Sequence, residues 1–416
     1  MANILGIIAE YNPFHNGHLY HLAQAKQQAQ ADYTVAIMSG NFVQRGNTSL
    51  VNKWTKTEMA LVSGVDLVIE LPTIYAISSA ENFAEGAIKI LNSLKLVNNI
   101  AFGSEVCDID LLNRVATVLH EEPKEYTSIL SHELKKGLSF PKARENALLM
   151  YLNNIQKYSN LLSKPNNILA VEYLKAMKKY HSQMIPYAIK REKVYYHDVC
   201  VVDEYASATA IRELVKNKDF KEIRRVMPTR SYQLLREEYK KGNCILDIQR
   251  FEKEILYTLR QMSLSDIANL PDVSEGLEHS IKKAANSCNN LYDFFNIIKS
   301  KRYTQTRIQR ILLYALLHIT KRDMAVSRRI SPYIRVLGFN EKGRQLLSWI
   351  MTNTPKLPLI TSVKKFSDSC HNPHLRRMLE IDVLATNVYT LGYEYDSWAN
   401  LDFTNKLIVM DNKKKE

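Results

Sequence analysis

A chain of 416 residues is long enough for two to three domains, and its 24% charged and 46% hydrophobic residues are typical of soluble globular proteins. The sequence contains no apolar run of membrane-spanning length, no evident signal peptide, and five scattered cysteines without a Cys-x-x-Cys pair. These features argue against a membrane protein, a disulfide framework and a zinc site, and they predict a cytoplasmic protein with reduced thiols. The net charge of +13 favours a polyanionic partner.

The N-terminal part of the chain alternates between apolar runs typical of strands and amphipathic segments typical of helices. This alternation predicts right-handed crossovers and a parallel sheet covered on both faces by helices. Ligands of such sheets bind at the carboxyl ends of the strands, where four loops then converge. The predicted strands are 3–9, 33–38, 66–71 and 100–102, the helices are 19–31, 57–63 and 79–94, and the loops are 10–18, 39–46, 72–82 and 103–105.

The first of these loops carries the string His15-Asn16-Gly17-His18 between a strand and a helix. Backbone amides at a helix N-terminus face bound phosphates, and the helix dipole adds positive potential there. Gly17 keeps a side chain out of the space where phosphate and backbone meet, and the imidazoles of His15 and His18 can donate to phosphate oxygens. The alternative is a pair of surface histidines around a turn, but the flanking strand and helix favour a phosphate site.

The middle of the chain adds further candidate ligands. Residues 108–152 are predicted to form a mostly helical insertion over the sheet. A helix predicted at 164–180 begins with Asn166 and Asn167, either of which caps the helix or contacts a ligand. A strand predicted at 184–189 ends at Lys190 and Arg191, which suit a phosphate or a carboxylate, or else are solvated surface charges.

A further helix start lies in the stretch Tyr-Ala-Ser-Ala-Thr-Ala-Ile-Arg at residues 205–212. The hydroxyl groups of Ser207 and Thr209 and the free backbone amides would lie at the positive end of this helix. The alternative is an N-cap with no ligand. As a second anion site downstream of the first, this stretch completes a pair that is more specific than either string alone.

From residue 217 onward the strand alternation stops, and the pattern predicts a mainly helical region. Residues 301–344 contain eleven Lys or Arg against two acidic residues. Arg307 and Arg310 border an apolar helix there, which fits a docked helix whose other side follows a phosphate backbone, with a plain solvated face as the alternative. The predicted helices are 218–225, 231–241, 245–263, 277–285, 291–300, 306–321, 341–353 and 374–393.

The pairing of His-x-Gly-His with the later Ser-x-Thr-x-Ile-Arg resembles the nucleotidyltransferase superfamily, which includes class I aminoacyl-tRNA synthetases and small adenylyltransferases. Asn12 stands where many adenylyltransferases carry an aspartate. The likeness extends to one family, the tRNA(Met) cytidine acetate ligases, whose motifs look like stretches across nearly the whole chain. These stretches are 10–18, 38–46, 64–72, 102–105, 164–169, 205–212, 301–304 with Arg307 and Arg310, and 333–339.

This resemblance implies an α/β fold: a Rossmann-like (HUP-type) parallel-sheet nucleotidyltransferase domain in residues 1–216, followed by a mainly α-helical, tRNA-binding domain in residues 217–416. It implies an enzyme that activates acetate with ATP as acetyl-adenylate, with Mg²⁺ as the counter-ion of ATP. The acetyl group then passes to the exocyclic amine of the wobble cytidine in elongator tRNA(Met). The resemblance implies no membrane and no protein partner.

The family pattern also implies roles for particular residues. His15, His18, Ser207 and Thr209 are the expected catalytic residues, no metal ligand is assigned, and Arg45, Lys53 and Glu81 are candidates at the rim of the cleft. The expected ATP-binding residues are Ile7, Ile8, Ala9, Glu10, Tyr11, Asn12, Pro13, Phe14, His15, Asn16, Gly17, His18, Leu19, Tyr20, Gly103, Asn166, Asn167, Lys190 and Arg191. The expected tRNA-binding residues are Lys301, Arg302, Arg307, Arg310, Arg328 and Arg329.

Two other functions fit parts of the sequence. A small-molecule adenylyltransferase would keep the same ATP site but make no use of the basic helical half. A non-catalytic RNA-binding protein would keep the nucleotide fold without the reaction, although the presence of both histidines weighs against lost catalysis. The acceptor of the adenylate, and the salt dependence of binding, distinguish these functions.

Overall fold

The fold is described from a computed structural model that covers residues 2–153, 158, 161–190, 204–298, 303–354 and 358–411. Three residues with expected roles, Arg191, Lys301 and Arg302, lie outside these described residues. None of the helices within the described ranges has the length and apolar character needed to cross a membrane.

The centre of the molecule is an eight-stranded, mostly parallel sheet. Its strands are β1 Ile4–Ala9, β2 Tyr33–Ser39, β5 Leu67–Leu71, β6 Asn99–Ser104, β7 Ile185–Lys190, β8 Ile334–Asn340, β9 Leu359–Ile360 and β10 Ile408–Met410; β3 Phe42–Val43 and β4 Asn47–Thr48 form a separate hairpin. The strand order is β10-β8-β5-β2-β1-β6-β7, and β9 pairs with β8. The predicted parallel sheet is confirmed for the N-terminal strands: β1 pairs in parallel with β2 and β6, β2 with β5, and β6 with β7.

Helices cover both faces of this sheet. Two of them start earlier than their apolar pattern suggests, because His15 and Asn52 cap their first turns. In the N-terminal half the helices are α1 Asn16–Gln28, α2 Lys53–Val62, α3 Thr73–Ala76, α4 Ala80–Ser93, α5 Ile109–Glu121, α6 Lys124–Lys135, α7 Phe140–Tyr151, α8 Pro165–Lys179 and α9 Ala208–Lys216.

The C-terminal half is mainly helical, as expected. Its helices are α10 Phe220–Val226, α11 Thr229–Lys240, α12 Glu252–Gln261, α13 Leu264–Ala268, α14 Leu277–Ser287, α15 Leu291–Ile298, α16 Gln305–Leu316, α17 Lys321–Arg329, α18 Glu341–Asn353, α19 Val363–Ser369, α20 Pro373–Thr390 and α21 Leu401–Thr404.

The expectation that strands stop at residue 217 is wrong, because β8, β9 and β10 join the central sheet. Strand β8 lies antiparallel to β5 and extends the sheet beyond the parallel N-terminal strands. The alternation of strand and helix does not reveal it, because β8 is an isolated strand among helices and its partner is distant in sequence.

Two predicted long helices are interrupted. The helix predicted at 306–321 breaks between α16 and α17, where His318 has a φ of 50° and Thr320 caps a new helix in a capping box with Asp323. The helix predicted at 245–263 instead begins as the 3₁₀ turn Ile248–Phe251, for which the side chain of Asp247 accepts the backbone N–H of Gln249. At each of these points a polar side chain accepts a nearby backbone amide and so starts a new helix or turn.

A buried ion network joins the two halves of the chain. Lys53 Nζ lies 3.0 Å from Glu70 on β5 and 2.7 Å from Asp402 on α21. Arg335 on β8 pairs with the same two carboxylates. Lys53 is fully buried, so its expected place at the cleft rim is wrong. Burial opposes ionisation of Asp402, but Arg335 and Lys53 together lower the pKa of its carboxyl group to about 2.

Candidate active site

The carboxyl ends of the parallel strands open into a cavity of about 610 Å³, large enough for a nucleotide. Each of the four loops predicted to meet at this edge of the sheet contributes residues to the lining of the cavity. The expected ATP-binding residues that line it are Ile7, Ile8, Ala9, Glu10, Tyr11, Asn12, His15, Gly17, His18, Tyr20, Gly103, Asn166 and Lys190. Its apolar wall includes Phe83, Phe102, Ile168, Leu169 and Tyr173, which were not among the expected ATP-binding residues.

The two motif histidines lie at the start of α1, and their rings stack with centroids 3.8 Å apart and planes inclined by 31°. Nδ1 of His15 accepts the backbone N–H of Gly17 (3.1 Å), and Nδ1 of His18 accepts the backbone N–H of His15 (3.3 Å). Because each Nδ1 is an acceptor, the proton of each neutral ring lies on Nε2. Nε2 is therefore the protonated ring nitrogen in each of the two neutral imidazoles.

Gly17 is required by the position of His15. A Cβ atom at Gly17 would lie 2.9 Å from Cε1 and 3.1 Å from Nδ1 of the His15 ring, closer than normal carbon contacts. The ring of His15 is only 2% exposed, so it has little room to move aside. The absence of a side chain at Gly17 thus lets the ring of His15 keep its position, and it also leaves room for a ligand.

Asn12 has a structural role in the loop before the histidines. Its Nδ2 donates to the carbonyl of Thr48 (3.1 Å), and its Oδ1 accepts the backbone N–H of Leu50 (2.6 Å). The following Asn12–Pro13 peptide bond is cis. Through these contacts the amide side chain fixes the histidine loop to the segment after β4, a task that needs both a donor and an acceptor.

Lys56 on α2 ties together the ends of β1 and β2. Its Nζ donates to the carbonyls of Glu10 (3.0 Å), Ser39 (2.8 Å) and Gly40 (2.7 Å) and to Oγ of Ser49 (2.8 Å). The side chain is fully buried, and this burial lowers the pKa of the ammonium group to about 7 although Glu10 and Glu70 oppose the shift. The sequence pattern did not single out this residue, because a lysine on a helix usually marks the solvent face.

Glu105 and Asn167 organise the loop after β6. Oδ1 of Asn167 accepts the backbone N–H groups of Glu105 and Val106 (both 3.0 Å) and the hydroxyl of Ser104 (2.7 Å). In return, Glu105 accepts the backbone N–H of Asn167 (2.9 Å) and the side chain of Asn166 (2.7 Å). Asn166 lines the cavity, whereas the side chain of Asn167 holds the loop in place.

The expectation that Asn166 or Asn167 caps α8 is wrong. The N-cap residue is Lys164, which makes no side-chain capping bond, and Pro165 is the first helical residue. Proline fits that position because its fixed φ suits a helix and it has no N–H to satisfy. The carboxylate of Glu105, from another loop, accepts one of the open amides of the first turn instead.

The second motif lies at the start of α9. Ser207 is the N-cap, and its Oγ accepts the backbone N–H of Ala210 (3.0 Å). Ser207 lines the cavity together with Tyr205, Ala206 and Ala208, whereas Thr209 is exposed on the first turn outside this lining. The helix start therefore faces the cavity as predicted, with Ser207 as its nearer hydroxyl.

The side chain of Asn16 connects the first motif by hydrogen bonds to the segments on either side of the second helix start. Its Nδ2 donates to the carbonyl of Glu204 (2.9 Å), just before the second motif, and to the carbonyl of Arg225 (3.0 Å) at the end of α10. Asn16, Pro13, Phe14 and Leu19 were expected to contact ATP, but they lie outside the cavity lining. The amide of Asn16 instead holds α9 and α10 against the start of α1.

The cavity also receives residues from the C-terminal half. Thr304 and Thr306, at the start of α16, line it together with Arg45 and Gln44 from the hairpin loop. Thr304 caps α16, since its side chain accepts the backbone N–H of Arg307. Thr304 belongs to a stretch that resembles the family, but nothing in its local pattern indicates proximity to the histidines.

The arginines expected to bind tRNA make contacts within the protein. Arg307 donates to the carbonyl of Asp272 (2.9 Å) and to Ser274 (3.0 Å), and Arg310 forms an ion pair with Asp272 (3.1 Å). Arg328 donates to Oδ1 of Asn82 (2.9 Å), while Arg329 is exposed. Glu81, expected at the rim, pairs with Lys175 (2.6 Å).

The residues that the structure describes contain no group of three or more His, Cys, Asp or Glu side chains arranged to hold a metal ion. The donors around the cavity are instead imidazoles, hydroxyls, backbone amides and the cations Arg45 and Lys190. This donor set suits an anionic ligand such as a polyphosphate.

A family model described as HIGH Nucleotidyl Transferase matches residues 2–402. The chain therefore belongs to this family, in agreement with the stacked histidines and the second helix start.

Comparison with individual relatives and solved structures specifies the family more narrowly. The tRNA(Met) cytidine acetate ligase of Thermoanaerobacter sp. (strain X514) is 45% identical over 409 residues, which cover 98% of this chain and 100% of the relative. The crystal structure of Thermotoga maritima TmcAL (apo, form I) matches with a TM-score of 0.94 at 36% identity, covering 99% of this chain and 100% of that chain. The form of TmcAL bound with alpha-thio ATP matches with a TM-score of 0.91 at the same identity and coverage. The chain belongs to the tRNA(Met) cytidine acetate ligase family.

Proposed function

We propose that this protein is an ATP-dependent ligase that acetylates the exocyclic amine of the wobble cytidine in elongator tRNA(Met), giving N⁴-acetylcytidine, AMP and pyrophosphate. The observation that carries this proposal is the cavity at the sheet edge, where the stacked imidazoles of His15 and His18 meet the helix start at Ser207. The relative from Thermoanaerobacter sp. (strain X514) is named as a tRNA(Met) cytidine acetate ligase, which supports this proposal. We place the enzyme in the cytoplasm, where its substrates ATP, acetate and tRNA occur together.

In the first half-reaction, a carboxylate oxygen of acetate attacks the α-phosphorus of ATP in line. The bond from that phosphorus to the bridging oxygen of pyrophosphate breaks, and pyrophosphate leaves with the electron pair. Nε2–H of His15 and His18 would donate to phosphate oxygens as charge builds there, and the N-termini of α1 and α9 add positive potential. This catalysis consists of positioning and charge stabilisation, as in other phosphoryl transfers.

In the second half-reaction, the exocyclic nitrogen of cytosine attacks the carbonyl carbon of acetyl-adenylate. The bond between that carbon and the phosphate oxygen breaks, the amine loses one proton, and AMP leaves. Because the mixed anhydride is already activated, the step requires no nucleophilic side chain. The role of the protein is to bring the base and the anhydride together in a site that excludes competing water.

Magnesium is proposed as the counter-ion of ATP. Mg²⁺ commonly binds through substrate phosphates and water with few protein ligands, which fits a cavity built from imidazoles, hydroxyls and backbone amides. The ion would neutralise charge on the phosphates, while the residues of the chain orient them.

The division into a catalytic part at 1–216 and a tRNA-binding part at 217–416 remains a proposal, and so do the assigned contacts. Among the expected tRNA-binding residues, Arg307 and Arg310 already have internal partners, so their contribution to RNA binding would be to shape α16 as much as to contact phosphate. Thr304 and Thr306 place the start of the same helix at the cavity, where RNA and ATP would meet.

The first half-reaction is tested by exchange of labelled pyrophosphate into ATP. We expect exchange that depends on acetate and needs no RNA. Exchange that ignores acetate but depends on another acid or on a nucleotide would instead identify a small-molecule adenylyltransferase. Absence of exchange with every acid, together with salt-sensitive tRNA binding, would identify an RNA-binding protein without catalysis.

A further inference from the structure

Residues 216–230 form a basic segment outside the stretch expected to bind tRNA, with six Lys or Arg against two acidic residues. Lys218, Lys221 and Arg224 are exposed on and before α10, and within the described part of the chain they have no carboxylate at ion-pair distance. Arg225 pairs with Glu222 (2.9 Å), but such an exposed pair is weak and easily exchanged for a phosphate. We call Lys218, Lys221, Arg224 and Arg225 the basic ridge.

One end of the basic ridge, at Arg225, lies near the histidine turn of the cavity. The carbonyl of Arg225 accepts a hydrogen bond from Asn16, whose chain neighbours His15 and Gly17 both line the cavity. At the other end, α9 begins at the cavity with Ser207 and runs away from it for nine residues, or ~13 Å, before the ridge begins. The Arg225 end of the ridge thus contacts the histidine turn through the side chain of Asn16.

Two aromatic rings line the cavity on the side of the histidine turn and the second motif. Tyr20 and Tyr205 line the cavity, and their rings meet edge to face with centroids 6.4 Å apart. Tyr205 follows Glu204, whose carbonyl also accepts a hydrogen bond from Asn16. A positively charged surface next to aromatic rings is the pattern by which proteins hold single-stranded nucleic acid.

We propose that the basic ridge binds the sugar-phosphate backbone of the anticodon loop of the acceptor RNA and so leads the cytosine past Tyr20 and Tyr205 into the cavity. The inference rests on the proposed function, because it presumes an RNA acceptor. Base-modifying enzymes need an unstacked base, and a loop supplies one at the lowest cost. The ridge would also supply cations for the RNA where Arg307 and Arg310 are engaged within the protein.

The test is the triple variant Lys218→Gln, Lys221→Gln, Arg224→Gln, with Lys124→Gln, Lys135→Gln, Lys364→Gln as the control of equal charge. The control residues are exposed lysines on α6 and α19. Binding to a transcript of elongator tRNA(Met) and to its anticodon hairpin is measured over a range of salt concentrations. The ridge variant should bind both RNAs at least about tenfold more weakly at low salt, and the slope of log K against log[salt] should be smaller by about two to three.

Acetate-dependent pyrophosphate exchange separates this effect from misfolding, since it needs no RNA. The ridge variant should keep the exchange rate of the parent while losing acetyl transfer to the hairpin. If the ridge variant has the same RNA affinity and the same salt slope as the control variant, the proposed role of the ridge is wrong, even when the parent acetylates tRNA normally. A parent that exchanges pyrophosphate but neither binds nor acetylates RNA would overturn the proposed function and the ridge together.

Discussion

At the histidine turn, the two nitrogen atoms of each imidazole ring have different tasks. Nδ1 of His15 and Nδ1 of His18 each accept a backbone N–H, which orients the rings, and we propose Nε2 of each ring as the donor to phosphate. Sequence spacing predicted both histidines and the glycine between them, because the string is local. It did not predict that Asn167 serves the loop while Asn166 faces the cavity, because that difference depends on Glu105 from another strand end.

His18→Ala should lower acetate-dependent pyrophosphate exchange by at least about 10²-fold, because it removes a donor to the phosphates. His18→Asn is the sharper variant: its side-chain oxygen can accept the N–H of His15 in place of Nδ1, but the Nε2 donor is lost. We expect both variants to lose exchange and to bind tRNA nearly as the parent does. Recovery of exchange in His18→Asn, or equal loss of exchange and RNA binding, would show that the ring acts only on folding.

At the scale of elements, the site depends on strand ends held at a common edge. The buried amino group of Lys56 connects the residue after β1 with the last residue of β2 through backbone carbonyls, and it also contacts Gly40 and Ser49 on either side of the β3–β4 hairpin. The alternating N-terminal pattern predicts these strands and their common edge. A lysine that reaches across that edge inside the protein cannot be predicted from periodicity, because its partners are backbone groups brought together only by folding.

Lys56→Met should lower the free energy of unfolding by about 3 kcal/mol, because buried carbonyls lose their donor. The pKa of Lys56 in the folded protein is about 7, below its ordinary value of 10.5, so the unfolded chain binds more protons between these values. The contribution of Lys56 to stability therefore rises as the pH increases from about 7 toward 10.5 and is lost as the pH falls through 7.

Chemical denaturation at several pH values measures this effect. The stability difference between the parent and Lys56→Met should widen as the pH rises, and a difference that stays constant would contradict the lowered pKa. Lys364→Met, an exposed position on α19, is the matched control and should change stability by no more than about 0.5 kcal/mol at any pH.

At the scale of the whole molecule, the C-terminal half completes the sheet and the cavity instead of standing apart. Strand β8 pairs with β5, and Arg335 on β8 shares Glu70 and Asp402 with Lys53. The sequence predicted a helical half but not these contacts, since an isolated strand and a charge pair between distant segments leave no periodic signal. The family resemblance covered the same segments but carried no information on their pairing.

Asp402→Ala should destabilise the protein by about 3–5 kcal/mol, because Lys53 and Arg335 would remain buried with one carboxylate fewer. The lowered pKa of Asp402 means that its stabilising effect is complete above its ordinary value of 3.8 and is lost as the pH falls toward about 2. The unfolding free energy of the parent should thus fall more steeply over this range than that of Asp402→Asn. Equal slopes would show that the network does not hold this carboxylate ionised.

The central claim is the transfer of acetate to one base, and transcripts of elongator tRNA(Met) test it most directly. The parent protein is incubated with ATP, Mg²⁺ and labelled acetate, together with a transcript that carries cytidine at the wobble position or a matched transcript that carries uridine there. The account predicts ATP-dependent label on the cytidine transcript alone. Label on neither RNA while ATP is consumed, or equal label on both, would contradict it.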